Sequence, residues 1–469
     1  MNVAVKASLW FVACSILQKG ISVITLPIFT RLMSTDQYGE YSIFQTWYNI
    51  LILIITLNIQ SDIFNKGLID HSEEKDNYTA NQAGLLITLA GIFLAVYLLL
   101  HDIINNLIGL KTYLMIIMFC EILANALIAL WNARKRFDFD YKKIVSLTLI
   151  TAVLDPVMGI ILVALSENKA EARIFSNALV PTIVAFFMVL MYIKHGGFHK
   201  NYKWWKIAVM GSLPLLPHYL SLVLLNQSDK LMINYYIGTS EAGIYSVAHS
   251  AGLLMTIVNT SINGSFVPWA YGKIKDNRSG DIKAVANVMF LIVIIVNVCV
   301  IWFAPEAILI LAAPEYADAV WCLVPIAASV FFYFVYTLFV DVEIYYGKNN
   351  YIAIASVCAA GMNLVLNYIF IPMFGFIAAG YTTLFSYFIT MIMHYIFMSR
   401  ALKQNGKKND MFDMKIVGIM SVVLAGSTAV AMMLYNYIFV RFAIAIAVLV
   451  VLIIKREKFL STIKMIRKK

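Results

Sequence analysis

What the chain lacks narrows it first. Asp, Glu, Lys and Arg make up only 13% of its 469 residues, and no polar run exceeds about twenty residues. Soluble domains carry about 25% charged residues, so a water-soluble fold is excluded, and no segment is long enough to fold alone outside a membrane. Cysteine is scarce too. The five present, Cys14, Cys120, Cys299, Cys322 and Cys358, all fall in apolar runs without metal-ligand spacing, and are expected to be buried small hydrophobes. There is no GxSxG elbow, no glycine-rich loop ending in Lys-Ser/Thr and no HExxH. His195 and His199 share a polar segment, but no carboxylate or cysteine joins them at ligand spacing. Neither an enzyme nor a cofactor-dependent protein is expected.

What the chain has in abundance is hydrocarbon. Hydrophobic residues are 61% of the sequence and the mean hydropathy is +0.80. A span needs about 20 apolar residues to cross a core about 30 Å thick. Six such runs lie near 8–29, 40–61, 80–100, 111–131, 143–165 and 173–193, six more near 206–226, 241–262, 284–304, 321–340, 351–371 and 377–398, and a final pair near 414–434 and 438–454. The opening MNVAVKASLWFVAC starts as a signal peptide does, yet the apolar run continues through Phe29, too long for an h-region. The expected fold class is an all-α polytopic membrane protein of about 14 transmembrane helices. Its parts are a lobe at 1–193, a linker at 194–205, a second lobe at 206–398, and two added helices with a basic tail at 399–469.

Orientation follows from Lys and Arg, which resist translocation near span ends. With the N-terminus inside, cytoplasmic segments hold 29 of the 36 basic residues, while Arg31, Lys111, Lys169, Arg173, Lys230 and Arg441 lie on the other face and Lys19 within a span. Both termini are therefore expected in the cytoplasm. The net charge of +10 reports this topology rather than a nucleic-acid partner. Aromatic residues gather at span ends, as in HKNYKWWK, which reads as an interfacial belt.

The two six-helix groups read as copies. TDQYGEYS (Thr35–Ser42) and TSEAGIYS (Thr239–Ser246) match at four of eight positions with a shift of 204. Both connect the first and second helix of their group, and because six is even the halves are expected to share one orientation, with an axis along the membrane normal. A cavity between two lobes that rock in alternating access is the expected mechanism.

Charged groups inside spans mark candidate sites. Lys19, mid-way along the first run, either snorkels or pairs with an acid, or faces a wet cavity as a cation for a phosphate headgroup. Glu121 and Asp155 lie at similar depth. Each is a partner for Lys19 or a site for H+ or Na+, and Asp155 precedes Pro156, whose missing N–H favours a helix bend. His249 is a titratable core group or a further coupling candidate. Asn58, Asn125, Asn259, Asn263, Asn297, Asn363 and Asn367 line a polar path or tie helices together.

Three stretches carry a family resemblance. PIFTRLMSTDQYGEYSIFQTW (Pro27–Trp47), NQSDKLMINYYIGTSEAGIYSVA (Asn226–Ala248) and ILAAPEYADAVWCLVPIA (Ile310–Ala327) resemble segments of polysaccharide-repeat-unit flippases, the polysaccharide-transport branch of the multidrug/oligosaccharidyl-lipid/polysaccharide exporter superfamily. The resemblance covers the whole chain and implies a flippase in the bacterial cytoplasmic (inner) membrane. Its implied cargo is a polyprenyl-diphosphate-linked oligosaccharide for O-antigen or capsule, with a polysaccharide polymerase and a chain-length regulator as further candidate partners. It implies a cationic cavity with Lys19 fittingly placed, Arg31 at the outer mouth and Asp229–Lys230 at an acid–base step; with the residues above, the substrate candidates are Lys19, Arg31, Lys230 and Asn259, and the coupling candidates Glu121, Asp155, Asp229 and His249. No span of the second lobe carries a mid-membrane Lys or Arg to complement Lys19. Two other readings stay open: a drug or metabolite antiporter of the same superfamily, which would want an acidic cavity, and a membrane-embedded polymerase, which would want an outer loop longer than the segment at 305–320.

Overall fold

The computed structural model describes residues 3–194 and 201–454, with some side chains inside those ranges excepted. The described residues form helices joined by short turns, with no strand among them. A helix satisfies its own backbone polar groups, as hydrocarbon surroundings demand. The helices are α1 (Val3–Leu32), α2 (Thr35–Thr56), α3 (Asp62–Asp70), α4 (Lys75–Leu99), α5 (His101–Ile108), α6 (Thr112–Phe137), α7 (Tyr141–Leu165), α8 (Lys169–Lys194) and α9 (Tyr202–Ser212). They continue as α10 (Leu216–Tyr236), α11 (Thr239–Lys275), α12 (Gly280–Trp302), α13 (Ala304–Leu311), α14 (Ala319–Tyr345), α15 (Asn349–Phe374), α16 (Ile377–Gln404), α17 (Met414–Met433) and α18 (Ile438–Ile454).

Among the described residues nine helices are long and apolar enough to cross a membrane, and ten when α9 and α10, bent by 51°, count as one broken span. With α1, α2, α11 and α18 the succession is consistent with the expected fourteen. Some details differ from the sequence reading. The run at 206–226 is interrupted between Ser212 and Leu216, where Pro214 and Pro217 remove backbone donors and force a bend. Part of the segment at 305–320, expected on the outer face, folds as α13. Cys14 and Cys322 are buried as expected, but Cys120, Cys299 and Cys358 are exposed. A thiol is apolar enough to stand at a surface turned toward lipid chains, so exposure there carries little cost.

Two compact units divide the chain, Met1–Gly243 and Ile244–Lys469. In the first, α6 and α7 pack on α8, α4 on α6 and α1 on α7, around cores that include Phe64, Leu68 and Leu130 and Phe44, Met118 and Ile122. In the second, α14 packs along α16 and against α12, with Phe331, Phe334 and Phe339 fully buried.

The repeated motif has a structural counterpart inside the first unit. Ser34 caps α2 in a reciprocal capping box with Gln37; Thr35 opens α2, and its match in the repeat, Thr239, opens α11. The two helix starts lie against each other. A Cβ on Gly39 would stand 2.0 Å from the Thr239 carbonyl oxygen, and one on Gly243 2.2 Å from that of Thr35. Ser240 Oγ donates to Thr35 Oγ1 at 2.7 Å. Both glycines and both threonines are separated by the same 204 positions as the motif, so each copy offers its glycine to the other's first carbonyl. Only a residue without a side chain permits that approach.

Candidate functional site

Four helices of the first unit, α2, α6, α7 and α8, bring polar groups together. Arg173, 7% exposed, sits in the first turns of α8. Its Nη1 and Nη2 donate to Asp155 Oδ1 and Oδ2 of α7 at 3.4 and 3.5 Å, and Nη1 also donates to Ser176 Oγ at 3.2 Å. The guanidinium lies 4.3 Å from the Phe29 ring of α1 and 5.2 Å from the Tyr41 ring of α2, within cation–π range. Space for it comes from Gly159, one helical turn beyond Asp155. A Cβ there would stand 2.7 Å from Arg173 Nη1 and 2.9 Å from Phe29 Cζ.

One turn further along α8, Asn177 Nδ2 donates to Glu121 Oε1 of α6 at 2.7 Å. Glu121 is 1% exposed, and its Oε2 has no hydrogen-bond partner among the described residues. Gln45 of α2 approaches the carboxylate, with its Nε2 likewise unpartnered. A buried acid with an open oxygen is costly unless protonated or matched by a cation. Residues 173 and 177, and 41, 45 and 48, follow the three- and four-residue spacing of one helix face, which aligns Arg173 with Asn177 and Tyr41 with Gln45.

The remaining expected residues that the structure describes make contacts of their own. The Lys19 side chain lies outside the described residues. Arg31, exposed at the end of α1, donates from Nη1 to the Pro27 carbonyl at 2.9 Å. Lys230 is buried on α10 and donates to Gln227 Oε1 at 3.1 Å, beside the buried Asp229. Asn259 ties α11 to α14 through Nδ2 and the Val330 carbonyl at 3.3 Å. His249 is buried, its ring 6.3 Å from that of Tyr245. Asp155, expected either to pair with Lys19 or to bind an ion, meets Arg173.

Sequence reasoning assigned Arg173 to an outer segment because it opens a run, and a helix start gives no sign of what its side chain meets. Two further charged groupings appear in the second unit. Arg441 of α18 is 1% exposed, pairs with Glu306 of α13 and donates to the Trp302 carbonyl at 3.1 Å. Glu343 and His394 pair between α14 and α16. Asn363 and Asn367 form a buried chain on α15, with Asn367 Nδ2 donating to Asn363 Oδ1 at 3.1 Å and Thr382 donating to Asn367. Among the described residues no group of three or more His, Cys, Asp or Glu could hold a metal ion.

Residues 4–271 match the family described as polysaccharide biosynthesis protein. Lsg locus putative protein 1 of Haemophilus influenzae is 23% identical over 363 residues, covering 75% of this chain and 87% of its own. The lipid II flippase MurJ, in an inward closed conformation, superposes with a TM-score of 0.68 at 15% identity, over 97% of this chain and 100% of that one. An inward-facing multidrug resistance MATE family transporter of the MOP superfamily gives 0.59 at 14%, over 82% and 96%. At such identities the superpositions establish the fold alone. The family match covers more than half of the sequence, and its structural neighbours are transporters and a flippase rather than enzymes. The chain belongs to the polysaccharide biosynthesis protein family, and its fold is that of the MOP-superfamily transporters.

Proposed function

We propose that this protein moves a polyprenyl-diphosphate-linked oligosaccharide from the cytoplasmic to the outer leaflet of the bacterial cytoplasmic membrane. A sugar headgroup cannot enter hydrocarbon without losing its hydrogen bonds to water, while the polyprenyl tail is at home there. The protein's task is to give the headgroup a polar passage. Lobes 1–193 and 206–398, joined by 194–205 and followed by the pair in 399–469, are the parts that rock.

The observation that carries this reading is the Arg173–Asp155 pair. A guanidinium is always charged and takes two anionic oxygens in one plane. Here it is buried, yet its carboxylate partner stands at 3.4 and 3.5 Å, looser than the ~2.7–2.9 Å of a tight charge-assisted bond. An arriving diphosphate would take the guanidinium from Asp155. The displaced carboxylate, near Glu121, whose Oε2 has no hydrogen-bond partner among the described residues, would then draw in H+ or Na+. Cargo binding and ion binding are thereby linked through one cation. Lys19 adds a second positive charge on α1, Arg31 serves the outer mouth, Lys230 and Asn259 serve the second half, and Asp229 and His249 are further coupling groups. Released cargo passes to the polymerase and chain-length regulator.

The test is a strain lacking this chain. Lipid-linked repeat units should accumulate in the cytoplasmic leaflet and be released by the wild-type gene but not by Lys19→Ala. Accumulation in the outer leaflet would overturn the reading. Export of cationic drugs with no effect on lipid-linked sugars would select the antiporter instead.

A further inference from the structure

The second unit holds a titratable pair that the mechanism above does not use. Glu343 and His394 are 0% and 1% exposed, and His394 Nδ1 lies 3.1 Å from Oε1 and 3.2 Å from Oε2 of Glu343. Such a pair is costly in a membrane-embedded bundle and calls for a reason. Two buried polar residues could join two helices more cheaply, as Asn259 does on α14 through a backbone carbonyl.

The surroundings are ordered. The Tyr336 ring of α14 stacks on the His394 ring at 5.3 Å and 14°. Tyr387 of α16 stacks on Tyr336 at 6.1 Å and 13°, and Tyr333 meets Tyr387 edge-on at 5.8 Å. Residues 336 and 387, and 343 and 394, are both offset by 51 positions, so the column follows from α14 and α16 packing side by side in constant register. Other titratable neighbours stand apart. Asp341, two residues before Glu343, has Asn263 and Tyr271 of α11 about it, with Tyr271 Oη donating to the Asp341 carbonyl at 3.1 Å. Tyr395 follows His394 and packs against Phe339. Among the described residues nothing on α12 or α15 makes an ion pair or hydrogen bond with either member.

The geometry points to Glu343–His394 as a proton-binding site of the second unit, loaded and emptied once per transport cycle. With one proton on Nδ1, shared toward the carboxylate, the pair carries a net charge of −1. A second proton makes it neutral and relieves the burial of that charge. A shift of α16 along α14 by a fraction of a turn would part His394 from Glu343 and change which state is favoured. Proton binding and helix packing would then be one equilibrium. This inference rests on the transport reading above, and adds a coupling site outside the first unit.

The test has two arms. Infrared difference spectra of the purified full chain between acidic and alkaline pH should contain a buried-carboxyl band that Glu343→Gln removes and Glu343→Asp shifts. In proteoliposomes with a lipid-linked oligosaccharide, stimulation by an imposed proton gradient should fall about fivefold or more in Glu343→Gln and His394→Gln, with binding of the oligosaccharide unchanged. Glu343→Asp, which keeps the acid, should restore part of the stimulation and controls for folding. An unchanged carboxyl band in Glu343→Gln, or full gradient stimulation in both amide variants, would overturn the proposal. A wild-type band that Glu343→Gln abolishes, in a protein that moves no lipid-linked sugar, would support the proton site and refute the cargo reading instead.

Discussion

Replacing Arg173 by Ala tests the core of the mechanism. At 3.4 Å two unit charges attract by about 5 kcal/mol at an effective dielectric constant of about 20. The Asp155 side chain is 28% exposed, and the desolvation of both groups offsets part of that attraction. A net coupling of roughly 1–3 kcal/mol is expected from a cycle of Arg173→Ala, Asp155→Ala and the double variant. Through a cationic subsite the same range corresponds to about a 5- to 150-fold rise in the half-saturating concentration of lipid-linked oligosaccharide. Arg173→Lys should fall between, since it keeps the charge and loses the two-pronged contact. Asp155→Asn should tighten cargo binding, because the guanidinium is no longer held, while weakening dependence on the ion gradient. Gly159→Ala reaches the same site without altering charge, as its methyl would press on Arg173 Nη1 and Phe29. The assays are flipping into vesicles at graded substrate concentration and thermal unfolding in detergent. If Arg173→Ala and Asp155→Asn both lower the melting temperature but leave half-saturation and dependence on the ion gradient unchanged, the pair is a structural brace and the reasoning fails.

Further expectations follow from other contacts. Glu121→Gln should preserve the Asn177 hydrogen bond yet make transport indifferent to the proton or sodium gradient; retained dependence would remove Glu121 from coupling. Gly39→Ala and Gly243→Ala should each destabilise the first unit by about 1–3 kcal/mol through overpacking, since the new methyl meets backbone oxygen rather than a movable side chain. Unfolding at an unchanged temperature in both would show that the helix starts part freely. Asp138 is partly buried, which opposes ionisation, but Arg134 and Lys75 hold its carboxyl below the usual range. A depressed acid contributes stability above the ordinary carboxylate pKa of about 3.9, and that contribution is lost as pH falls through the depressed value. Asp138→Asn should therefore lower the melting temperature at neutral pH and converge with wild type in strong acid; a constant difference at every pH would refute the linkage.

Much of this protein was legible without coordinates, and the particulars show why. Apolar runs of about twenty residues announce spans because the hydrocarbon core sets their length. The repeated Thr-Gly-Tyr-Ser pattern is plain in the sequence, and within the first unit Gly39 and Gly243 each approach the first carbonyl of the other copy. The broken α9–α10 span was missed, although Pro214 and Pro217 were visible, because hydropathy alone ignores the lost backbone donor. For Arg173 the position along the chain is plain in the sequence, and its neighbours Asp155 and Ser176 are not.

Sequence by itself determined the solvent, the spans and the family, since each depends on composition within a window or on motifs in order. Only the tertiary structure decided that Asp155 meets Arg173, that Glu121 Oε2 has no hydrogen-bond partner among the described residues, and that Glu343 meets His394. Those pairings join helices far apart along the chain. They depend on which faces pack and in what register, and a hydrophobic helix surrounded by lipid bears little periodic trace of the face it turns inward.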